Sequence, residues 1–187
     1  MKLNRKTNKI ILQKKDYEQQ IIFLDGYIAV NGAYLIKADF VEFESDLMQD
    51  RVNRNNYFSI LQGSETNFPN AEHWQHLIET TESEPVRIHN IFYQNENSIA
   101  KQLLTNLTNN KIILMNADFC KIIKALNGNV TQTINNDLQP VTVHKNGELL
   151  GLFMPTCNRT ILNEINQFII DSTESKDEIG AVPNEHQ

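Results

Sequence analysis

The side chains best suited to metal chemistry fall within a predicted helix at residues 71–80. Histidines and carboxylates on one helical face are potential ligands of a transition metal, and here they are Glu72, His73, His76 and Glu79. The same four residues also suit the solvated surface of an ordinary helix. We favour that second interpretation and expect no metal site and no cofactor.

Cys120 is the residue that most resembles a nucleophile, because Lys121 and Lys124 follow it closely. Nearby cations lower the pKa of a thiol and so raise the population of the reactive thiolate. No histidine lies near it in the sequence to act as a base, although distant residues can approach it in the fold. We expect Cys120 and Cys157 to be small core residues.

The sequence lacks the short motifs that mark common enzyme sites. It has no phosphate-binding GxxxxGK[ST] loop, no GxGxxG turn, no GxSxG elbow and no HExxH helix. Its seven glycines are spread over turns. We therefore expect the protein to bind other macromolecules and not to catalyse a reaction.

Positive charge is concentrated at the start of the chain. Residues 1–15 carry six of the 17 basic residues and no acid, which leaves 11 basic and 23 acidic groups in the rest, a balance of −12. The negative charge of the rest of the chain argues against a protein whose whole surface binds nucleic acid, since phosphate binding needs clustered cations. A local basic surface is still compatible with this balance. The N-terminal arm either touches phosphates or is a solvated terminus around a strand at residues 9–13, and we favour the terminus.

Length and composition predict a cytoplasmic protein. The longest apolar runs fall well short of the roughly 20 residues that cross a bilayer, and the N-terminus lacks the apolar core of a signal peptide. Two cysteines in 187 residues do not form a disulfide framework.

The N-terminal part of the chain predicts a β-meander over residues 19–43. Asp25-Gly26 and Asn31-Gly32 are dipeptides that accept the positive φ angles of hairpin turns. After them, Tyr34 and Ile36 alternate with Leu35 and Lys37, as on the two faces of a strand.

The middle of the chain is weakly patterned. We predict a helix within residues 46–60, a helix at 71–80, a strand at 86–93 and a short helix or loop at 96–107.

A helix at residues 117–126 is the sharpest local prediction. Asn116 is a good N-cap and Asp118 suits the positive end of the helix dipole, while Gly128 is expected to end the helix in the left-handed conformation. Apolar residues recur at helical spacing and predict one buried stripe: Phe119, Ile122, Ile123 and Leu126.

Strands are predicted on both sides of this helix. One precedes it at residues 111–114. Three follow at 129–134, 140–144 and 148–153, and Lys145-Asn146-Gly147 is a strong turn signal between the last two.

The C-terminal part predicts a second amphipathic helix at residues 160–170. Beyond it, residues 171–187 contain five acids, one lysine and little apolar content, so we expect a disordered acidic tail.

Three stretches resemble the sliding clamp of bacterial replication, the DNA polymerase III beta subunit. Residues 25–36 are similar to the strand–turn–strand segment of a clamp, and Phe68-Pro69-Asn70 is similar to the segment before a clamp crossover. The helix from Asn116, the strands after it and the Met154-Pro155 end resemble the last unit of a clamp domain. The sequence departs from the pattern at Asn31, at Thr156-Cys157, where Met-Arg is usual, and in the extra segment 160–170.

The resemblance implies an α+β fold, with antiparallel sheets and helices on one face. The C-terminal amphipathic helix is predicted from the residue spacing in addition to that fold. Residues 1–170 then form one clamp-like domain, or two pseudo-symmetric halves of about 1–95 and 96–155 followed by helix 160–170. A single-domain chain needs several copies to encircle DNA. The missing Arg and the added C-terminal segment argue against closure of such a ring.

The resemblance also implies two binding sites. Lys121 and Lys124, opposite the apolar stripe, would hold phosphates of duplex DNA without reading bases; otherwise they are ordinary solvated residues. Met154 and Pro155 match the place where clamps dock a peptide of a polymerase or another partner; otherwise they form a buried strand end.

Two functions follow from these expectations. The first is a clamp-like accessory protein of DNA replication that binds duplex DNA, a polymerase or both. The second is a monomeric interaction module that binds and regulates a replication protein or another basic protein. A ring-sized assembly with salt-dependent DNA affinity favours the first, and a monomer indifferent to DNA favours the second.

Overall fold

The computed structural model describes part of the chain in detail. The described residues are 2–11, 20–24, 26–30, 33–42, 56–59, 65–67, 78, 83–94, 99–134, 139–156, 162–163 and 165. The chain divides into two compact units, Met1–Pro155 and Thr156–Gln187. In the second unit, Leu162, Asn163 and Ile165 are helical, while the rest of the predicted helix 160–170 and the tail 171–187 lie outside the described residues.

The first unit is a mixed α+β fold that consists mostly of sheet. Its described helices are α1 (Arg5–Ile11) and α2 (Ala117–Leu126), with a short 3₁₀ turn at Ala38–Phe40. The described strands are β1 (Gln20–Leu24), β2 (Tyr27–Val30), β3 (Tyr34–Lys37), β4 (Asn56–Ser59), β5 (Glu65–Asn67), β6 (Ser83–Tyr93), β7 (Lys101–Asn106), β8 (Ile112–Asn116), β9 (Asn129–Thr133), β10 (Val141–Lys145) and β11 (Glu148–Phe153).

The described strands hydrogen-bond in the order β5-β4-β1-β2-β3-β11-β10-β9-β6-β7-β8, and each pairing is antiparallel. The central pair is β3 and β11, where Tyr34 lies opposite Phe153. On one side of this pair, β3 belongs to the meander β1–β3, which follows α1 in the chain. On the other side, β11 belongs to the meander β9–β11, which follows α2. Each side of the β3–β11 pair therefore has the same elements in the same chain order, a helix followed by three strands.

The turns that shape these meanders come from residues that tolerate positive φ. Gly26, between β1 and β2, has φ +82°. Asn146 and Gly147, between β10 and β11, have φ 54° and 79°, which are the angles of a tight two-residue hairpin. The predicted meander and the helix with three following strands are confirmed, whereas Asp25 and Asn31-Gly32 lie outside the described residues.

The sheet has two buried faces. Alternation along β2 and β3 places Ile28, Tyr34 and Ile36 on one face, in a large core shared with α1 and α2; we call this the helix face. On the opposite face a smaller cluster is centred on Leu35. Ile78, which is also helical, packs against that smaller cluster, so the expectation that helices lie on one face holds for α1 and α2 but not for Ile78.

The sheet curves around α2. This helix packs against β11 in the middle of the strand order and also against β7 and β8 at its end. Three strands separate β11 from β7, so the sheet must bend for one helix to reach both. A β-bulge in the β10–β11 pairing leaves Leu150 as the extra residue and adds local twist.

Several predicted elements are wrong. Residues 5–11 form a helix, not a strand at 9–13, because Asn4 caps them and their buried residues, Thr7 and Ile11, are four positions apart. Residues 101–106 form strand β7 and not a helix or loop, and residues 56–59 are extended within the predicted helix 46–60.

The end of α2 also differs from its prediction. Asn127, not Gly128, takes the left-handed conformation, with φ 52° and ψ 53°. Asparagine tolerates this region through its short polar side chain. No helix among the described residues has the length and apolar content to span a membrane.

Candidate functional site

Helix α1 is anchored by its cap and its buried side. The side-chain Oδ1 of Asn4 accepts a hydrogen bond from the backbone N–H of Thr7 at 2.9 Å, the usual role of asparagine at an N-cap. Leu3, Thr7 and Ile11 are buried, and their spacing of four residues places them on one side of the helix. Consequently the basic residues of α1 face away from the core.

Helix α2 is capped in the same way. The side chain of Asn116 accepts from the backbone N–H of Asp118 at 2.9 Å, as predicted. The predicted apolar stripe packs into the core: Ile122, Ile123 and Leu126 are buried and Phe119 packs beside them.

Lys121 and Lys124 both lie on the exposed side of α2. Lys121 is 58% exposed and forms an ion pair with Asp118, with 2.6 Å between Nζ and Oδ1. Lys124 makes no ion pair with any residue in the described part of the chain. Of the two lysines, Lys124 is therefore the more available to an outside anion.

The structure brings the N-terminal cations to the same face as these lysines. Helix α1 lies against α2, and both share the core on the helix face of the sheet. We call the exposed cations of the two helices the two-helix basic face. It consists of Arg5, Lys6, Lys9, Lys121 and Lys124.

An acid lies on this face, because Asp118 pairs with Lys121. Next to α1, the backbone of Glu42 exchanges hydrogen bonds of 2.6 and 3.0 Å with the side chain of Asn8. The face is therefore basic overall, and its charge is partly compensated at α2.

The contribution of α1 was missed in the sequence. The sequence predicts a solvated terminus around a strand at residues 9–13, with contact of the basic arm to phosphates as the alternative. The signal that identifies a helix is Asn4 as the cap, followed by Thr7 and Ile11 at helical spacing.

Cys120 has the wrong surroundings for a nucleophile. It is fully buried in the core under α2. Burial raises the pKa of the Cys120 thiol to about 12, and the opposing effect of Lys124 is smaller. Since the thiolate is the reactive form, burial disfavours a nucleophilic role for this thiol at neutral pH.

Met154 and Pro155 lie at the end of β11, and both are half-buried. The backbone N–H of Met154 donates to the carbonyl of Ala33 at 2.9 Å. The side chain packs against the smaller cluster, opposite the helix face. The two predicted sites therefore lie on opposite faces of the sheet.

A buried amide cluster joins β6, β7 and β9. The side chain of Asn106, which is fully buried, donates to Glu84 at 2.6 Å and to Gln132 at 3.2 Å. Its oxygen accepts from the backbone N–H of Thr108 at 2.9 Å. Since these groups satisfy one another, the cluster holds the strands together and offers no open ligand site.

Among the residues that the structure describes, no group of three or more histidines, cysteines or acids is arranged to hold a metal ion. The four candidate ligands in residues 71–80 lie outside the described residues.

No protein-family model matches the chain, and comparisons with curated proteins and with solved structures gave no significant match. The resemblance to sliding clamps therefore remains a prediction from the sequence.

Proposed function

We propose that the chain is a clamp-like accessory protein of DNA replication, which holds duplex DNA by its phosphates and carries out no catalysis. The observation that supports this most is the repeated order of elements around the β3–β11 pair. Each side of that pair has a helix followed by three strands, and both helices present cations from one face. In the clamps that the sequence resembles, helices of this kind face the DNA.

The chemistry of the two-helix basic face suits phosphate groups. Lysine and arginine contact phosphates without regard to sequence, and each phosphate that is neutralised releases condensed counterions. If all five cations are engaged, the logarithm of the affinity falls with the logarithm of salt concentration with a slope of roughly −4.5.

We expect the double substitution Lys121→Glu/Lys124→Glu to weaken duplex binding and to make its salt dependence shallower by roughly 1.8 units of slope, because two phosphate contacts are lost. Fluorescence anisotropy with a labelled duplex over a salt series measures both quantities. The matched control is Lys111→Glu/Lys145→Glu, which changes the charge equally at two exposed positions outside the helices.

The control should bind duplex DNA almost as the unmodified chain does. Equal weakening by the two double variants would mean that only overall charge matters. Unchanged binding by the helix variant would remove Lys121 and Lys124 from the site.

A polymerase or another partner is proposed to dock near Met154 and Pro155. The half-burial of both residues supports this, since each keeps accessible surface beside an apolar cluster. A partner there would leave the opposite, basic face free for DNA.

One observation favours the second candidate, a monomeric module that binds a basic protein. Asp118 already neutralises Lys121, and the chain outside residues 1–15 has a balance of −12. The substitution Asp118→Asn separates the two candidates, because it frees Lys121 and should strengthen DNA binding only if the basic face is the site.

A further inference from the structure

An aromatic side chain is exposed at the end of β6. Phe92 is 59% exposed and its neighbour Ile91 is 58% exposed, which is unusual for side chains of this size. Neither residue contributes to the core clusters of the sheet.

The strand register places Phe92 on the helix face. Phe92 lies opposite Gln102 of β7, and Gln102 lies opposite Met115 of β8. Residues opposite each other in neighbouring antiparallel strands project from the same face. Met115 belongs to the core beneath α2, so Phe92 projects from the side of the sheet that carries α1 and α2.

Phe92 is also close to the start of α2. Two strand spacings, about 10 Å, separate it from Met115 in its row, and α2 begins at Ala117, two residues after Met115. The exposed aromatic ring and the exposed helix cations thus lie on the same face of the sheet.

We propose that this face also binds single-stranded nucleic acid, with the helix cations holding phosphates and the Phe92 ring stacking on an unpaired base. The inference rests on the proposed function for the cations and adds a second substrate class. Basic surfaces with interleaved aromatic rings bind single strands because every base offers a π-face. Duplex bases are already stacked on one another, so a duplex gains nothing from Phe92.

The cations on this face favour this occupant over an apolar protein segment, because they attract phosphates. An apolar segment would accept another apolar side chain at position 92, whereas a nucleobase stacks on an aromatic ring, so Phe92→Leu is the matched control and should weaken oligothymidylate binding as Phe92→Ala does. Ile91 is adjacent and equally exposed, but successive strand residues point to opposite faces, so Ile91→Ala serves as a control for a change elsewhere on the strand.

The test is an anisotropy titration of the full chain with two labelled probes at low salt. One probe is an oligothymidylate longer than the roughly 4 to 16 nucleotides that small single-strand-binding folds cover; the other is a duplex of matched length. Phe92→Ala should weaken oligothymidylate binding by roughly 5- to 150-fold, the usual loss for one stacked base, and leave duplex binding unchanged. Ile91→Ala should change neither, and Phe92→Trp should retain single-strand binding.

The outcomes separate this inference from the proposed function. Duplex binding without oligothymidylate binding overturns the inference and leaves the proposed function standing, whereas binding of neither probe overturns both. Equal losses for Phe92→Ala on the two probes, or equal effects of Phe92→Ala and Ile91→Ala, also overturn it. Thermal unfolding of each variant shows whether the fold is intact, which is expected because both side chains are exposed.

Discussion

Two glycines lie where other groups approach the backbone closely. A Cβ on Gly128 would lie 2.5 Å from the carbonyl oxygen of His144, which is a backbone atom that cannot move aside. A Cβ on Gly151 would lie 3.0 Å from Leu126 Cδ1 and 3.2 Å from the carbonyl oxygen of Leu35. At both positions the absence of a side chain lets neighbouring elements pack closely.

We expect Gly128→Ala to lower the free energy of unfolding by about 2 kcal/mol or more, and Gly151→Ala by about 1 kcal/mol, since overpacking of this kind typically costs 1–3 kcal/mol. Side chains near Gly151 can adjust, whereas the backbone at His144 cannot. Urea denaturation of the two variants gives the ranking, and the reverse order would contradict the role assigned to Gly128.

Individual residues were predictable from the sequence where the signal is local. Asn116 as a helix cap depends only on its neighbours and is confirmed. The predicted role of Gly128 as the left-handed end of α2 was wrong. Glycine is used both for left-handed turns and where another part of the chain comes close to the backbone, and the second use here depends on His144 in another strand. The prediction that Cys120 is a small core residue is confirmed, since the residue is fully buried.

Among the elements, α1 depends on one buried tyrosine. The hydroxyl of Tyr34 in β3 donates to the carbonyl of Ile11 at the end of α1, at 3.0 Å. Its ring lies edge-on to Phe119 of α2, with 4.9 Å between ring centroids, and stacks near Phe153 of β11. One side chain thus connects both helices to the central strand pair.

We expect Tyr34→Phe to lower the free energy of unfolding by about 1 to 2 kcal/mol, because it removes a buried hydrogen bond but keeps the ring. Faster hydrogen exchange of the α1 amides should accompany the loss. Tyr27→Phe is the matched control, since it removes a similar bond, to the carbonyl of Leu149 at 3.0 Å, on the opposite face. If exchange in α1 is as fast in the control, Tyr34 is not its anchor.

Elements with regular local patterns were predicted well. Helix α2 and strands β9–β11 have apolar periodicity and clear turn residues. Strand β7 was missed because Gln102 and Asn106 point into the protein, where Asn106 bonds to Glu84 and Gln132. Because those partners lie far along the chain, the sequence of this segment alone does not show that its polar side chains are buried, and it has no regular apolar pattern.

At the scale of the whole molecule, assembly and DNA binding should respond oppositely to salt. Copies of the chain repel one another because each has a net charge of −6, and salt screens that repulsion. We therefore expect ring-sized assembly to increase as the salt concentration rises. Binding of duplex DNA should weaken over the same range, because counterion release is less favourable. Analytical ultracentrifugation and anisotropy over one salt series measure the two responses.

A chain that stays monomeric at every salt concentration and ignores duplex DNA would support the interaction module instead. If a monomer still binds duplex DNA with a steep salt dependence, the basic face remains the proposed DNA site but a closed ring is excluded.

The strand order of the whole sheet could not be read from the sequence. Antiparallel pairing of neighbouring segments follows from short turns, as in β1–β3. The β3–β11 pairing, by contrast, joins distant segments whose apolar patterns fit many partners equally well. Only the resemblance to clamps suggested two related halves, and it did not specify where they meet.

The central pair has a consequence for how the protein is made. Ile36 lies opposite Gly151, so more than a hundred residues must leave the ribosome after β3 before its partner strand β11 has been synthesised. Until then the early meander has an open edge with unpaired amides and carbonyls, a state prone to mispairing. Nascent chains of this protein should therefore depend on chaperone shielding until β11 emerges, and their folding should be slow because it awaits a remote contact.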